Sequence, residues 1–266
     1  MRTLWTKLTR RGARAAGILL CICGAGLLFL PEKTASPAVP DHGEAILKAL
    51  KENDYASLGY FLKRTSPRPD RVRGQLLLNV AAQNGHADCA AVLLAAGCDP
   101  NLEDALHLTP LAAAAEKGNL DAMKLLLRHG ARVDNGSEYG RTALMLAAAE
   151  GRNAAVEFLL AAGAAPDYGG RTGRSALCMA VRRGHEETAL LLLARGASVA
   201  AAEEDGSTLL HLAAERGMKK LAAELLKRGL DPRRSGRDGV SALDLARKHG
   251  DEELIRILAG EDDVKN

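Results

Sequence analysis

The stretch "GSTLLHLAAERG" (residues 206–217) decides the fold. Taken alone, it sets Thr208, His211 and Glu215 at i, i+3 and i+7, on one face of a helix. A hydroxyl, an imidazole and a carboxylate on one stripe would suit a nucleophile with its base and orienter. The alternative is that the spacing is structural, and the rest of the chain decides between the two. Steps of 33 residues from Thr208 land on Leu76, Thr109, Thr142, Ser175 and Ser241. Two positions on from each of the six stands Leu (78, 111, 144, 177, 210, 243); five on stands Ala (81, 114, 147, 180, 213, 246). Nine on stands Gly (85, 118, 151, 184, 217, 250), and seventeen on stands Leu (93, 126, 159, 192, 225, 258). Four columns without exception at one period are an internal repeat.

Each column has a physical reading. A Ser or Thr at position zero accepts a hydrogen bond from a backbone N–H two or three residues on, capping a short first helix. The Leu at +2 and Ala at +5 share a helical face, where Ala lets neighbouring helices approach closely. Gly at +9 ends that helix in the left-handed conformation. Runs such as "MKLLLRHG" and "TALLLLARG" form a second amphipathic helix, closed by Gly at +21 (97, 130, 163, 196, 229). A Gly two before position zero (74, 140, 173, 206, 239) then marks a turn.

The helix–turn–helix–hairpin unit resembles the ankyrin repeat, whose T-P-L-H-x-A signature has this period. "LTPLAAAAEKGNLDAMKLLLRHGARVD" (108–134) and "STLLHLAAERGMKKLAAELLKRGLDP" (207–232) carry the likeness. The resemblance implies an all-α ankyrin-repeat solenoid with units at 72–104, 105–137, 138–170, 171–203, 204–236 and a C-terminal capping unit at 237–266. Residues 41–71, with "EAILKALKENDYASLGYFLKR" (44–64), read as a degenerate N-terminal capping repeat. Ends must differ from the interior, because an end unit has a neighbour on one side only. In the last unit Arg247 replaces a small residue, and Asp262 falls where the second Gly is due. By the same resemblance, Thr208 and His211 brace adjacent hairpins rather than catalyse.

Hydrophobic residues make up 47 % of the 266 and aromatics only 3 %, so Ala and Leu carry the packing. The net charge of +3 misleads. Residues 1–14 hold five basic side chains and no acid, leaving 31 of the 36 basic groups against 33 acidic ones in the remainder. That body, at −2, gives no support for nucleic-acid binding. Cys89, Cys98 and Cys178 show neither CxxC nor zinc-like spacing and read as free thiols, with a Cys89–Cys98 bridge as the alternative in an exported chain.

The N-terminus reads as a targeting segment. A basic stretch to Arg14, an uncharged run over 15–30 and a Pro-rich tether over 31–40 follow in order. A basic flank stays cytoplasmic, so the sequence predicts a single-pass signal-anchor over 1–30 with the repeats outside, on the periplasmic or extracellular side of a bacterial membrane. The same segment also reads as a signal peptide cleaved before Val39.

No catalytic, cofactor or metal signature survives: there is no HExxH, GxSxG, P-loop or GxGxxG. The acidic starts "HEE" (185–187) and "DEEL" (251–254) complement helix dipoles. The expected function is therefore non-enzymatic, a protein-binding scaffold with no small-molecule substrate. By the family's register, the concave face contains hairpin-tip positions such as Tyr139, Arg141, Arg171, Arg174, Glu204, Asp205, Arg237 and Asp238. It also contains the first-helix positions +4, +7 and +8. The candidate patch is Tyr139, Arg141, Arg171, Arg174, Met179, Arg182 and Arg183, residue types enriched among binding hot spots and suited to an acidic partner. A secreted effector binding host proteins, or an accessory factor to an envelope enzyme, are the alternative roles.

Overall fold

The structure, a computed structural model, describes residues 21–22, 27–28, 42–65, 70–72, 75–136, 140–169, 174–200, 207–236 and 238–260. The chain divides into two units, Met1–His42 and Gly43–Asn266. In the first, β1 (Cys21–Ile22) pairs antiparallel with β2 (Leu27–Leu28), Cys21 opposite Leu28. The expected membrane-crossing segment over 15–30 falls mostly outside the described residues, and the four that are described are strand rather than helix. Gly24 and Gly26 lower the helix propensity between them. No helix among the described residues is long and apolar enough to cross a membrane.

The second unit is a stack of helix pairs. It opens with α1 (Gly43–Lys51) and α2 (Tyr55–Arg64), the pair expected of the N-terminal cap. A short hairpin follows, β3 (Arg71–Val72) antiparallel to β4 (Gln75–Leu76), with Arg71 opposite Leu76. First helices are α3 (Leu77–Asn84), α5 (Pro110–Lys117), α7 (Ala143–Ala149), α9 (Ala176–Arg183), α11 (Leu209–Glu215) and α13 (Ala242–His249). Second helices are α4 (Ala87–Ala95), α6 (Leu120–Arg128), α8 (Asn153–Ala161), α10 (Glu186–Ala194), α12 (Lys219–Lys227) and α14 (Glu252–Ala259). Each first helix packs on the first helices before and after it, and each second helix on its own counterparts, giving two layers.

The invariant columns form the seam between layers. All six Ala at +5 have no exposed surface, and the six Leu at +2 are at most 6 % exposed. The six Leu at +17 are buried as well. Alanine at +5 leaves room for the next first helix, while the leucines fill the space between layers.

Helix ends follow the sequence with two differences. The hydroxyls of Thr109, Thr142, Ser175 and Ser241 accept from the backbone N–H three residues on, at 3.2–3.4 Å. Leu76 cannot do so, and α3 instead begins directly from β4. At the C-terminal end α14 stops at Gly260, left-handed at φ +78°, one residue sooner in register than α12, so no Gly is needed at 262.

The two glycine columns differ in what they need. Gly130 (φ +89°) has nothing within 4 Å of where a Cβ would lie, so only its backbone conformation requires Gly. Gly151 (φ +65°) has in addition the His185 ring of the next repeat, its Nδ1 2.5 Å from that Cβ. Gly130→Ala should cost about 1–2 kcal/mol. Gly151→Ala should cost about 1 kcal/mol more from overpacking. Adding His185→Ala should return the excess at 151 and nothing at 130, read by denaturant unfolding of the four variants.

Candidate functional site

The opening stripe is built into the stack. The backbone N–H of Thr208 donates to His211 Nδ1 at 3.1 Å, which leaves the proton on Nε2, and Nε2 donates to Val240 O of the next hairpin at 3.1 Å. His211 is buried, and Glu215 is exposed with no link to it. The same slot one end of the stack away holds Asn79, whose Nδ2 donates to Leu108 O at 2.7 Å and to Asp104 Oδ2 at 2.9 Å. Val240 and Leu108 both stand one residue before position zero of the following unit. Histidine and asparagine thus perform one structural task, and the catalytic reading fails on geometry.

Two further slots work in the same way. At +10 the side chains reach back to carbonyls that the previous repeat's first helix leaves open at its C-terminal end. His86 Nδ1 lies 2.6 Å from Leu50 O. Asn119 Nδ2 donates to Ala82 O and Gln83 O at 2.8 and 2.9 Å, and Arg152 Nε to Glu116 O at 3.2 Å. At +25, in the hairpin loops, an Asx oxygen accepts from the next repeat's backbone: Asn101 from Arg132 N at 2.9 Å, Asp134 from Ala165 N at 3.1 Å, Asp167 from Ser198 N at 2.7 Å. Of the acidic starts, Glu186 accepts from Leu221 N at the start of α12 (2.9 Å), and Asp251 from Leu254 N of its own helix (3.1 Å).

Reactive groups are few. Cys89, Cys98 and Cys178 are thiols, and the Cys89–Cys98 bridge does not form. Burial, reinforced by the charge of Asp88, pushes Cys89 up to about 11. Burial with Asp70 beside it pushes Cys98 up to about 12, so neither supplies a thiolate at neutral pH. No group of three His, Cys, Asp or Glu able to hold a metal occurs among the described residues. The last repeat is pinned by Lys219, which reaches Asp251 Oδ1 at 3.1 Å and Glu253 Oε2 at 2.6 Å. Hydrogen bonding to Glu253 and then Asp251 raises the Lys219 pKa. The Leu254 N–H, and then Lys219, hold Asp251 below the usual carboxylate range.

Surface is what remains. Of the candidate patch, Tyr139 and Arg171 lie outside the described residues, as do Glu204, Asp205 and Arg237. Arg141 is exposed, but its guanidinium already donates to Leu106 O at 3.2 Å, bracing the preceding hairpin tip, where Leu106 is 65 % exposed. Arg174 is half-buried just before the Ser175 cap. Met179, Arg182 and Arg183 share one face of α9, Met179 and Arg182 half-buried and Arg183 exposed. Arg216 of the next unit comes alongside, its guanidinium 3.9 Å from the Cβ position of Gly184.

Sequence reasoning placed +4 on the binding face and took Met179 from it, without noting that the position is apolar in all six repeats: Val80, Ala113, Leu146, Met179, Leu212 and Leu245. Ala113 and Leu146 are buried, whereas Val80, Met179, Leu212 and Leu245 keep part of their surface in solvent. The charges beside the stripe, at +7 and +8, change sign along the stack. Glu116, Lys117 and Glu150 flank it in units 2 and 3; Arg182, Arg183, Glu215, Arg216 and Lys248 flank it in units 4 to 6. The 33-residue register was enough to find this column, had it been read for polarity as well as identity.

A family model described as "Ankyrin repeats (3 copies)" matches residues 78–169, 135–203 and 177–266. No curated protein matches the chain. Among solved structures, the crystal structure of the ankyrin repeat domain of Bcl-3, "a unique member of the IkappaB protein family", is similar at 26 % identity and a TM-score of 0.68. That match covers 81 % of this chain and 97 % of the other.

His211→Ala removes the Val240 bond and leaves the buried Thr208 N–H without its acceptor, so it should cost about 1–3 kcal/mol in denaturant unfolding. A cost near zero would mean that the brace is dispensable. A carboxylate whose folded pKa is lowered stabilises above its ordinary value of about 3.9 and loses that contribution as pH falls through the folded value. Asp251→Asn should therefore lower Tm at neutral pH, with the gap to the parent closing below about pH 4. A gap that held constant into strong acid would show that the charge of Asp251 contributes nothing.

Proposed function

The chain belongs to the ankyrin-repeat family, and we propose that it is a non-enzymatic scaffold whose first-helix face in units 4 to 6 binds an acidic protein partner. Ankyrin repeats are protein–protein interaction modules, and specificity sits in the surface side chains that the fold carries. One observation carries the choice of face: only there does the partly exposed +4 stripe (Met179, Leu212, Leu245) run between mostly basic flanks (Arg182, Arg183, Arg216, Lys248). Apolar side chains supply contact area, and arginines beside them pair with carboxylates in a partly desolvated setting. Arg174 stands next to this face, just before the Ser175 cap, and the register assigns Arg171 and Tyr139 to the adjoining hairpin loops. Arg141 contributes less to binding, because it is committed to Leu106.

The proposed location is outside a cytoplasmic membrane, with residues 1–30 as the anchor or leader. Its support is the five basic side chains over 1–14 followed by the uncharged run over 15–30.

Crosslinked affinity capture from membranes tests both proposals. Arg174→Glu, Arg182→Glu and Arg183→Glu together should cut recovery of the main partner at least about tenfold, a loss of about 1.4 kcal/mol or more. Helical content should not change, and Glu116→Lys with Glu150→Lys should leave capture intact. Undiminished capture by the triple variant removes the basic face as the binding site. Mass spectrometry of the recovered chain should find residue 1 or a new terminus near Val39, in the membrane fraction.

A further inference from the structure

The Asx ladder of the hairpin loops breaks off at the joint between units 4 and 5. Asn101, Asp134 and Asp167 each accept from the backbone N–H 31 residues on, at Arg132, Ala165 and Ser198. The next member of the column is Ala200, and the next N–H is that of Asp231. A methyl group cannot accept a hydrogen bond, and the Asp231 N–H has no partner among the described residues. At this place, between units 4 and 5, a cavity of about 340 Å³ opens, lined in part by Ala200, Thr208, Arg228, Asp231 and Arg234. Other features converge on the same joint. Position +10 is Met218, which has no donor for the carbonyls of α9. The first helices α9 and α11 also pack less closely than any other neighbouring pair among α3 to α13. The bonds that hold the joint are on the second-helix side: Leu221 N to Glu186, and Arg228 Nη2 to Leu193 O at 3.0 Å.

We propose that the joint between units 4 and 5 is a carboxylate-binding site, and that an Asp or Glu side chain of the partner occupies the place that Asn101, Asp134 and Asp167 fill at the joints before it. The neighbouring joints define the ligand, an Asx-type oxygen 2.7–3.2 Å from the loop N–H. The cavity supplies one cation for it. Arg228 is held by Glu224 Oε1 at 2.9 Å and by Leu193 O, which leaves Arg234, among the described residues, to pair with an incoming carboxylate; the Oδ1 of Asp231 is already taken by the N–H of Arg233 at 2.8 Å. Ala200, Asp231 and Arg234 are exposed, so a partner reaches the site without unfolding the loop. A carboxylate seated there would complete the ladder, so binding and tightening of the joint are one event. The inference rests on the chain's being a partner-binding stack and adds an anchoring point to the basic face.

The test needs no identified partner. Full-length chain is titrated with blocked aspartate (acetyl-Asp-methylamide) at constant ionic strength, with blocked asparagine as a control, while amide resonances are followed by NMR. The Asp231 amide should shift downfield and saturate with aspartate, and Arg234→Ala should weaken the response several-fold. Ala200→Asp and Ala200→Asn supply the oxygen from within the chain. Each should abolish the response and raise Tm by about 2–4 °C, whereas Ala200→Ser, too short to reach, should do neither. An Asp231 response that persists in Ala200→Asp overturns the proposal, as does its absence from the parent chain. A shift of the unliganded Asp231 amide in Glu203→Gln/Glu204→Gln/Asp205→Asn would show that the chain's own acids hold the site, which also overturns it. Loss of partner capture in the arginine triple variant is independent of all these outcomes. If capture were undiminished there while Asp231 still responded, the basic-face reading would fail and the carboxylate site would stand.

Discussion

No described helix in the stack exceeds ten residues, and helices that short do not hold in water by themselves. Everything else depends on the contact between one repeat and the next. That contact has an apolar part, the Leu and Ala columns, and a polar part that is easier to overlook. Short helices and tight hairpins leave a high proportion of backbone N–H and C=O groups without partners inside their own unit. The neighbouring unit meets them: slot +3 takes a hairpin carbonyl, slot +10 takes the carbonyls at the end of a first helix, and slot +25 takes a loop N–H. A repeat in isolation would expose both its apolar face and these groups, which explains why stability here is a property of joints.

The two parts were unequally legible in the sequence. The apolar columns demand one residue type each, because a Leu or Ala of the wrong size at +2, +5 or +17 would break the spacing between helices. Identity at a fixed period therefore revealed them at once. The polar slots demand only a group that reaches and bonds. Asn79 and His211 do one job with different chemistry, as do His86, Asn119 and Arg152. In a single sequence such slots look variable and dispensable, and only the family likeness pointed to His211 as a brace. The N-cap column shows the reverse limit. Its hydroxyls were read correctly at Thr109, Thr142, Ser175 and Ser241, yet Leu76 begins a helix without one because β4 already sets the chain's direction. The stop at Gly260 was hidden because the register put the terminator at 262, two residues past where the helix turns left-handed.

The candidate face was half legible. The arginines of α9 were found because charge stands out in an alanine-rich helix, and Met179 was found with them by register, but its continuation through Leu212 and Leu245 needed the exposure of each side chain. Arg141 illustrates a different error. Its position at a hairpin tip suggested availability, and its guanidinium is in fact spent on Leu106 O. Residue type and register place a side chain near the surface; only the hydrogen-bond partners decide whether it is left over.

Stack and face therefore compete for the same kinds of side chain. An Asp in a hairpin loop can complete the neighbouring repeat or meet a partner, and an Arg at a tip can brace a carbonyl or pair with a carboxylate, but one group does not do both at full strength. In units 1 to 3 the loop slots are committed inward at every joint, and the flanks of the first-helix face carry little net charge. In unit 4 the inward commitments lapse at Ala200, and in unit 5 at Met218, just where arginines gather on the neighbouring surface. On the proposed reading, stability is given up at the joint where the binding chemistry is concentrated. In a structure held together one joint at a time, that concession stays local: units 1 to 3 keep their own contacts, and the last repeat keeps the Val240 brace and the Lys219 pin. A globular core would spread the same loss through the whole domain, whereas a solenoid can specialise a single joint and leave its neighbours intact.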